Sequence, residues 1–405
     1  MRTPSRRRLA WLLSSFVIAC VPPDDDLSLS SPPEPGTAVI SREPAWTRSS
    51  RWKLSRSPLV EIGGSRGNGP ENLLKVAGVV RLDDGSIVVA NAASGQLKYF
   101  DRTGAHVTSS GGIGWDQGTF RVLGWIQLLE TGEIAAYDES QRSLSLFDAD
   151  GAYVRRLLQG YDPRANGAFL TIEGVFDDES VLIHQSRMAA FAPGSQRSDD
   201  WFVRVPSVGV PATVTEAFPG LEVVRRKFVN GGDVSQPPFG RAVHAALSPS
   251  RFYVGDDDRY AISAYTPEGK LLHVIRLEGA DRPITAATID EYVDLRIPKR
   301  RDLDRSVLEP PLRAMITHKT MPAFSALRAD PDGNLWARDF DVALPADRKE
   351  RWNVFDPNGR YLGALEMPKA FSLMTVGIDY AGGVWKDQFG TERVRIYELK
   401  KPLRR

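Results

Sequence analysis

The chain has 405 residues, 42% of them hydrophobic and 25% charged, with 52 lysines and arginines against 51 aspartates and glutamates. This composition is ordinary for a globular protein, and a net charge of +1 excludes the strongly basic surface of a nucleic-acid binder. Cys20 is the single cysteine, which excludes an internal disulfide, a thiolate metal site and a cysteine nucleophile beyond residue 20.

The N-terminus has the pattern of an export signal. Residues 6–8 are arginines and residues 9–19 form an apolar run, too short to span a bilayer but suited to a signal peptide. Residues 17–20, Val-Ile-Ala-Cys, resemble the bacterial lipobox. The resemblance implies that residues 1–19 are removed and that Cys20 is lipidated, which anchors an exported protein in the cell envelope (periplasm or cell surface). An ordinary secretory signal with an incidental cysteine is the alternative.

Residues 20–50 are predicted to be a disordered tether. They are rich in Pro, Ser and Asp, as in the run Pro-Pro-Asp-Asp-Asp at 22–26. Such a stretch cannot bury enough apolar surface to order itself, and its prolines favour an extended spacer. The folded domain is therefore predicted to cover residues 51–401.

A repeat runs through that domain. Short runs rich in Val, Ile, Tyr, Phe and Trp alternate with Asp-Gly and Asn-Gly pairs, which is typical of strands joined by tight hairpins. Gly85 and Gly132 are 47 residues apart, and so are Gly104 and Gly151. Six copies can be found, two of them degenerate. A four-stranded unit of this length has the size of a propeller blade.

The repeat resembles a known family. Gly78 to Asn91, with the turn Asp-Asp-Gly and the strand Ile-Val-Val-Ala-Asn, followed by Tyr-Phe-Asp-Arg-Thr-Gly at 99–104, looks like the NHL repeat and its six-bladed, TolB-like relatives. The resemblance implies an all-β, six-bladed β-propeller of four-stranded antiparallel blades. It also implies that residues 52–62 supply an outer strand to the last blade and close the ring.

Two segments interrupt the repeat. Residues 206–240 are predicted to be an irregular insertion after blade three, and residues 277–321 an insertion between blades four and five. Helical spacing of apolar residues over 284–297 predicts a helix there. Thr288 and Glu291 have the spacing of a capping box, and Pro298, Pro310 and Pro311 are expected to end or break the helix.

No catalytic motif stands out. Residues 63–67, Gly-Gly-Ser-Arg-Gly, fit a nucleophile elbow, but they connect β-strands, whereas the elbow needs a strand-to-helix turn. No two of the five histidines have metal-ligand spacing. His106 and His273 fall on predicted outer strands, and His184 and His244 fall on inner ones.

One set of polar residues recurs in register, at the end of the second strand of each blade. They are predicted to face the same mouth of the central channel, where they could bind Ca²⁺ or a polar ligand. The alternative is that they cap the turns that follow them. The set is Asn91, Asp138, His184, Asp256, Asp339 and Asp387.

Two classes of function follow. The first is a non-enzymatic, lipid-anchored and monomeric binding module for a protein, peptide or glycan, with no cofactor. The second is a Ca²⁺-dependent hydrolase, lactonase or lyase with its site at the channel mouth, which would need two or three side chains to converge on one ion. The tether, the two insertions and the missing catalytic motif favour the binding module.

Overall fold

The computed structural model describes residues 33–64, 69–157, 169–187, 194–207, 212–228, 231–297, 304–342 and 349–402. The predicted signal peptide, Cys20 and Ser65 lie outside the described residues. Among the described residues, no helix is long and apolar enough to cross a membrane.

Six β-sheets follow one another along this part of the chain, and the first, second and fifth are four-stranded antiparallel sheets. Three short strands precede them: β1 (Thr37–Ser41), β2 (Lys53–Leu54) and β3 (Val60–Gly63). The first sheet contains β4 (Val76–Arg81), β5 (Ile87–Asn91), β6 (Gln96–Phe100) and β7 (His106–Gly111). The second contains β8 (Leu123–Leu128), β9 (Ile134–Asp138), β10 (Ser143–Phe147) and β11 (Tyr153–Leu157).

The other sheets are numbered in the same way, and the third, fourth and sixth have additional strands. The third contains β12 (Phe169–Val175), β13 (Val181–Arg187), β14 (Gly194–Val205), β15 (Ala212–Thr213), β16 (Phe218–Phe228) and β17 (Gly231–Ser235). The fourth contains β18 (Val243–Ser248), β19 (Arg251–Asp256), β20 (Ala261–Tyr265) and β21 (Leu271–Leu277), with β1 at its edge. The fifth contains β22 (Ala326–Ala329), β23 (Leu335–Arg338), β24 (Arg351–Phe355) and β25 (Tyr361–Glu366). The sixth contains β26 (Phe371–Val376), β27 (Tyr380–Lys386) and β28 (Glu392–Lys400), with β2 and β3 beside β28.

The hairpin turns use the predicted chemistry. Gly85 and Gly132 have φ of +88° and +83°, a backbone conformation that costs glycine little and other residues more. Asp84 accepts a hydrogen bond from the backbone N–H of Ser86 at 2.8 Å. The spacing of 47 residues between the two glycines therefore reflects one hairpin repeated in neighbouring sheets.

The core lies between the sheets and closes into a ring. Each of six apolar clusters joins two consecutive sheets, and one of them joins the sixth sheet to the first through Val384, Val394, Val79 and Val89. In most neighbouring sheets the first strands contact each other, including β26 of the sixth with β4 of the first. The first strands therefore line the inside of the ring, and the fold is a β-propeller.

The ring closes at β28, as predicted. Val394 of β28 pairs with Ile62 of β3, and Leu399 pairs with Leu54 of β2, so the start of the domain covers the edge of its last strand. Covering an edge removes a template for aggregation.

The tether predicted over residues 20–50 is too long, because residues 37–50 are part of the folded domain. β1 pairs in parallel with β21 of the fourth sheet, and the backbone N–H of Trp46 donates to Leu362 of the fifth sheet at 2.8 Å. The Trp46 ring lies 5.4 Å from that of Trp52. Thr37, Val39 and Trp46 supply the β-propensity and apolar area that the proline-rich run before them does not have.

The second predicted insertion is helical, with different boundaries. Helix α1 (Ala286–Arg296) has Thr285 as its N-cap in a capping box with Thr288, so the predicted box of Thr288 and Glu291 was one turn too late. Helix α2 (Arg305–Ala314) contains Pro310 and Pro311, which were expected to break a helix. Arg313 and Arg305 of α2 bind Asp290 and Asp294 of α1, and these ion pairs hold the second helix in place.

The first predicted insertion is not irregular. Most of its described residues form β15, β16 and β17, which extend the third sheet. Val223 and Val224 supply the β-branched side chains that favour a strand.

Candidate functional site

The topology gives each sheet two different ends. The turn end has the hairpins between the first and second and between the third and fourth strands. The loop end has the connections between the second and third strands and those to the next sheet. The predicted site residues belong to the loop end: Asn91, Asp138 and Asp256 end their strands, Asp339 and Asp387 directly follow theirs, and His184 lies within β13.

Three of these side chains bind backbone amides of the loops around them. The Asn91 Oδ1 accepts from Leu74 N at 2.7 Å. The Asp138 carboxylate accepts from the backbone N–H groups of Arg121, Ser140 and Gln141. Asp387 accepts from Phe389 N at 2.8 Å and Thr391 N at 2.9 Å, and these hydrogen bonds lower the pKa of Asp387. All three residues therefore cap a turn or a connector between sheets.

Asp256 and Asp339 have side-chain partners, and Asp256 also accepts from Asp258 N at 3.3 Å. Asp256 binds Arg197 of the third sheet, with the closer oxygen 2.7 Å from Nη2. Asp339 accepts from the Asn353 Nδ2 at 2.6 Å, and burial raises the pKa of Asp339 despite the nearby arginines. In the fourth sheet it is Asp257, one residue later than predicted, that accepts from Ala242 N at 2.9 Å and so acts as the connector cap.

His184 is the centre of a charged cluster in the third sheet. Its Nε2 lies 2.7 Å from Asp200 Oδ2, and its Nδ1 lies 3.4 Å from Glu173 Oε1. Asp200, which is 2% exposed, also accepts from the hydroxyls of Ser186 and Ser198 at 2.7 Å. Burial lowers the pKa of His184, but the hydrogen bonds and charges of Asp200 and Glu173 outweigh it and raise the pKa to about 9. The imidazole is therefore a cation at neutral pH.

Two further histidines pair with carboxylates near the insertions. His244 Nε2 lies 3.0 Å from Asp257 Oδ2. His318, which follows α2, lies 2.7 Å from Glu222 of β16, so this pair joins the two predicted insertions. Sequence reasoning missed the partner of His318 because the two residues are 96 positions apart along the chain. His106 and His273 lie on the fourth strands β7 and β21, as predicted.

Arg328 is a cation on the inside of the ring that sequence reasoning also missed. It lies on β22, the first strand of the fifth sheet, at the hairpin position that Val80 and Gln127 have in the first and second sheets. Its side chain is solvent-exposed, yet burial lowers its pKa, as does the charge of Arg338. Because first strands line the inside of the ring, an exposed side chain on β22 faces the central channel. The sequence signal for this residue was an arginine at the repeat position where the first and second sheets have Val80 and Gln127.

The predicted Ca²⁺ site has no ligand set in the described part of the chain. No group of three or more His, Cys, Asp or Glu side chains there converges in a way that could hold a metal ion. The predicted carboxylates are instead distributed around the ring, each with its own partners.

No protein-family model and no curated protein sequence matches this chain. Solved structures do resemble it. A member of the DUF4221 family from Bacteroides vulgatus has a TM-score of 0.51 at 8% identity, over 87% of this chain and 99% of that one. Virginiamycin B lyase from Staphylococcus aureus has a TM-score of 0.42 at 10% identity, over 86% and 100%. Regucalcin, a calcium-binding protein from Agrobacterium tumefaciens, has a TM-score of 0.37 at 12% identity, over 85% and 99%. Likeness at these identities shows the fold alone.

Proposed function

We propose that this protein is an exported, monomeric, lipid-anchored binding module that presents the loop end of a propeller to a protein partner. Each of the six sheets is one blade of an NHL-like or TolB-like ring, and lipidated Cys20 is the membrane anchor. Neither a nucleic acid nor a cofactor is part of this function. A peptide or a glycan is the other ligand class that the sequence favours.

The observation that carries the proposal is the outward apolar side of α2. This helix has no buried residue. Its Arg305, Glu309 and Arg313 are spaced by four and form ion pairs with one another or with α1. Val307 and Leu308 are 65% and 42% exposed. A helix that turns its charges inward and its apolar side outward is stabilised when another protein covers it, by about 25 cal/mol per Å² of apolar surface.

The position of the tether supports the same orientation. The backbone N–H of Gly36 donates to Leu272 O at the start of β21, which is the turn end of the fourth sheet. The second insertion, which joins the fourth sheet to the fifth and contains α2, belongs to the loop end. An anchor at Cys20 would therefore leave the turn end nearer the membrane and the loop end free to meet a partner.

The contacts of His184 favour binding over catalysis. Both ring nitrogens of His184 face carboxylates, so neither is free to exchange a proton with a substrate, as a general acid or base must. No observation in the described residues favours the Ca²⁺-dependent hydrolase.

Site-specific photo-crosslinking in the full-length lipoprotein tests the proposal. A photoreactive residue at position 307 should give one discrete adduct in the native envelope, and the same residue at position 107 should not. Val107 is the matched control because it is also 65% exposed but lies on the outer strand β7. The adduct protein, once purified, should bind the wild-type domain and lose affinity at least tenfold for Leu308→Glu.

Two results would contradict the proposal. One is an identical crosslinking pattern from positions 307 and 107. The other is unchanged affinity of the purified adduct protein for Leu308→Glu. Because Leu308 is exposed, Leu308→Glu should keep the wild-type melting temperature, which separates loss of binding from loss of folding.

A further inference from the structure

Arg328 has no counter-ion in the described residues. Its one hydrogen bond there runs from Nη1 to the backbone carbonyl of Leu327 at 2.9 Å. No carboxylate of the described chain lies within ion-pair distance of it, in contrast to Arg197, which pairs with Asp256 of the next sheet, and Arg338, which pairs with Glu350 beside its own sheet. Most donors of its guanidinium are therefore not used by the described chain.

The acidic groups near Arg328 are bound elsewhere. Glu350 accepts from Arg338 Nη1 at 3.0 Å, from Trp352 Nε1 at 3.0 Å and from Leu373 N at 3.1 Å. Glu173, on the third sheet, is 3.4 Å from the ring of His184. The charges of both glutamates still raise the pKa of Arg328, but burial and Arg338 act against them and the net effect is a lowered pKa.

The free edge of the guanidinium suits one class of ligand. The backbone contact uses Nη1, and neither Nε nor Nη2 donates to a described residue. Those two nitrogens form the fork that binds a carboxylate or phosphate with two parallel hydrogen bonds. The exposed side chain on β22 offers that fork to the channel.

We infer that Arg328 binds the carboxylate or phosphate group of a small ligand that enters the central channel. This site is separate from the outward side of α2, so it does not depend on the proposed protein partner. The ligand accepts hydrogen bonds from the guanidinium nitrogens that donate to no described residue.

Calorimetric titration of the intact domain with inorganic phosphate and with acetate, at constant ionic strength, tests the inference. At least one anion should bind saturably with a stoichiometry of one. The anion that binds more tightly shows whether the ligand group is a phosphate or a carboxylate. Arg328→Gln should weaken this binding at least tenfold. Arg81→Gln is the matched control, because Arg81 binds Asp379 at the turn end, and it should bind the anion as the wild type does. Absence of saturable binding of both anions, or equal binding by Arg328→Gln, would overturn the inference.

Thermal melting in a buffer without either anion separates a ligand site from a structural one. Arg328→Met should keep or raise the melting temperature, because no partner is lost. Arg338→Met should lower it by several degrees, because Glu350 would lose a partner. Equal losses for the two variants would show that Arg328 has a structural role and would also overturn the inference. Crosslinking from position 307 should be unchanged in Arg328→Gln. This result distinguishes loss of the anion site from loss of the protein partner on α2.

Discussion

The first and second sheets differ from the third and fourth in what polar side chains do at the loop end. In the first two, Asn91 and Asp138 bind backbone amides of their own loops. In the other two, the predicted residues His184 and Asp256 bind charged side chains, and Asp256 does so across a sheet boundary. The fourth sheet still has a connector cap, but it is Asp257, one residue later. The end of the second strand thus has two physical roles, which are binding backbone amides in the first two sheets and binding charged side chains in the next two.

Replacing the loop-end carboxylate by alanine in the second and in the fourth sheet should give the largest difference in the free energy of unfolding. Asp138→Ala should lower the free energy of unfolding by roughly 3 kcal/mol or more, since several backbone amides lose their acceptor in a site that is 1% exposed. Asp256→Ala should lower it by about 1 kcal/mol, because its pair with Arg197 is partly solvated. Urea titration of both variants measures the difference. Equal losses would mean that the two sheets use their loop-end carboxylates in the same way.

Between pH 6.5 and 9, the free energy of unfolding should depend on pH through His184 of the third sheet. The pKa of His184, about 9 in the folded protein, lies above its ordinary value near 6.5. Its contribution is therefore complete below about pH 6.5 and is lost as the pH rises to about 9. The wild type should lose at most about 3 kcal/mol of unfolding free energy across that interval, and His184→Gln should lose much less.

His106→Gln is the control for this measurement. His106 lies on the outer strand β7, and its Nε2 is 2.8 Å from the hydroxyl of Ser109, with no carboxylate partner among the described residues. That variant should keep the wild-type slope between pH 6.5 and 9. A wild-type slope in His184→Gln would place the titrating group elsewhere.

The sequence predicted the regular part of the fold better than the site. Local turn chemistry is encoded within a few residues, so Gly85 and Gly132 marked their hairpins correctly. The third sheet was harder, because β16 and β17 extend it through a segment with no repeat. The N-terminal strand β1 was missed because its partner, β21, is more than two hundred residues away.

The contacts of the candidate site depend on such distant pairings. His318 and Glu222 are 96 residues apart, and nothing in either local sequence links them. A shift of one residue gave Asp256 a role that Asp257 has. Arg328 was visible in principle, since an aligned repeat shows arginine where Val80 and Gln127 stand. Its unpaired charge could only be seen once its neighbours were in place.

The smallest expected effect concerns divalent metal. The loop-end carboxylates of the second and fourth sheets are already occupied by backbone amides or arginine, and a Ca²⁺ ion would need six to eight oxygen ligands at one point. Dialysis against a chelator should therefore shift the melting temperature by less than about 1 °C, and mass spectrometry of the purified domain should find less than one ion per chain. Asp339→Ala provides the internal comparison, since a bound ion there would be lost with it. A stoichiometric ion that survives dialysis and disappears in Asp339→Ala would favour the Ca²⁺-dependent hydrolase over the binding module.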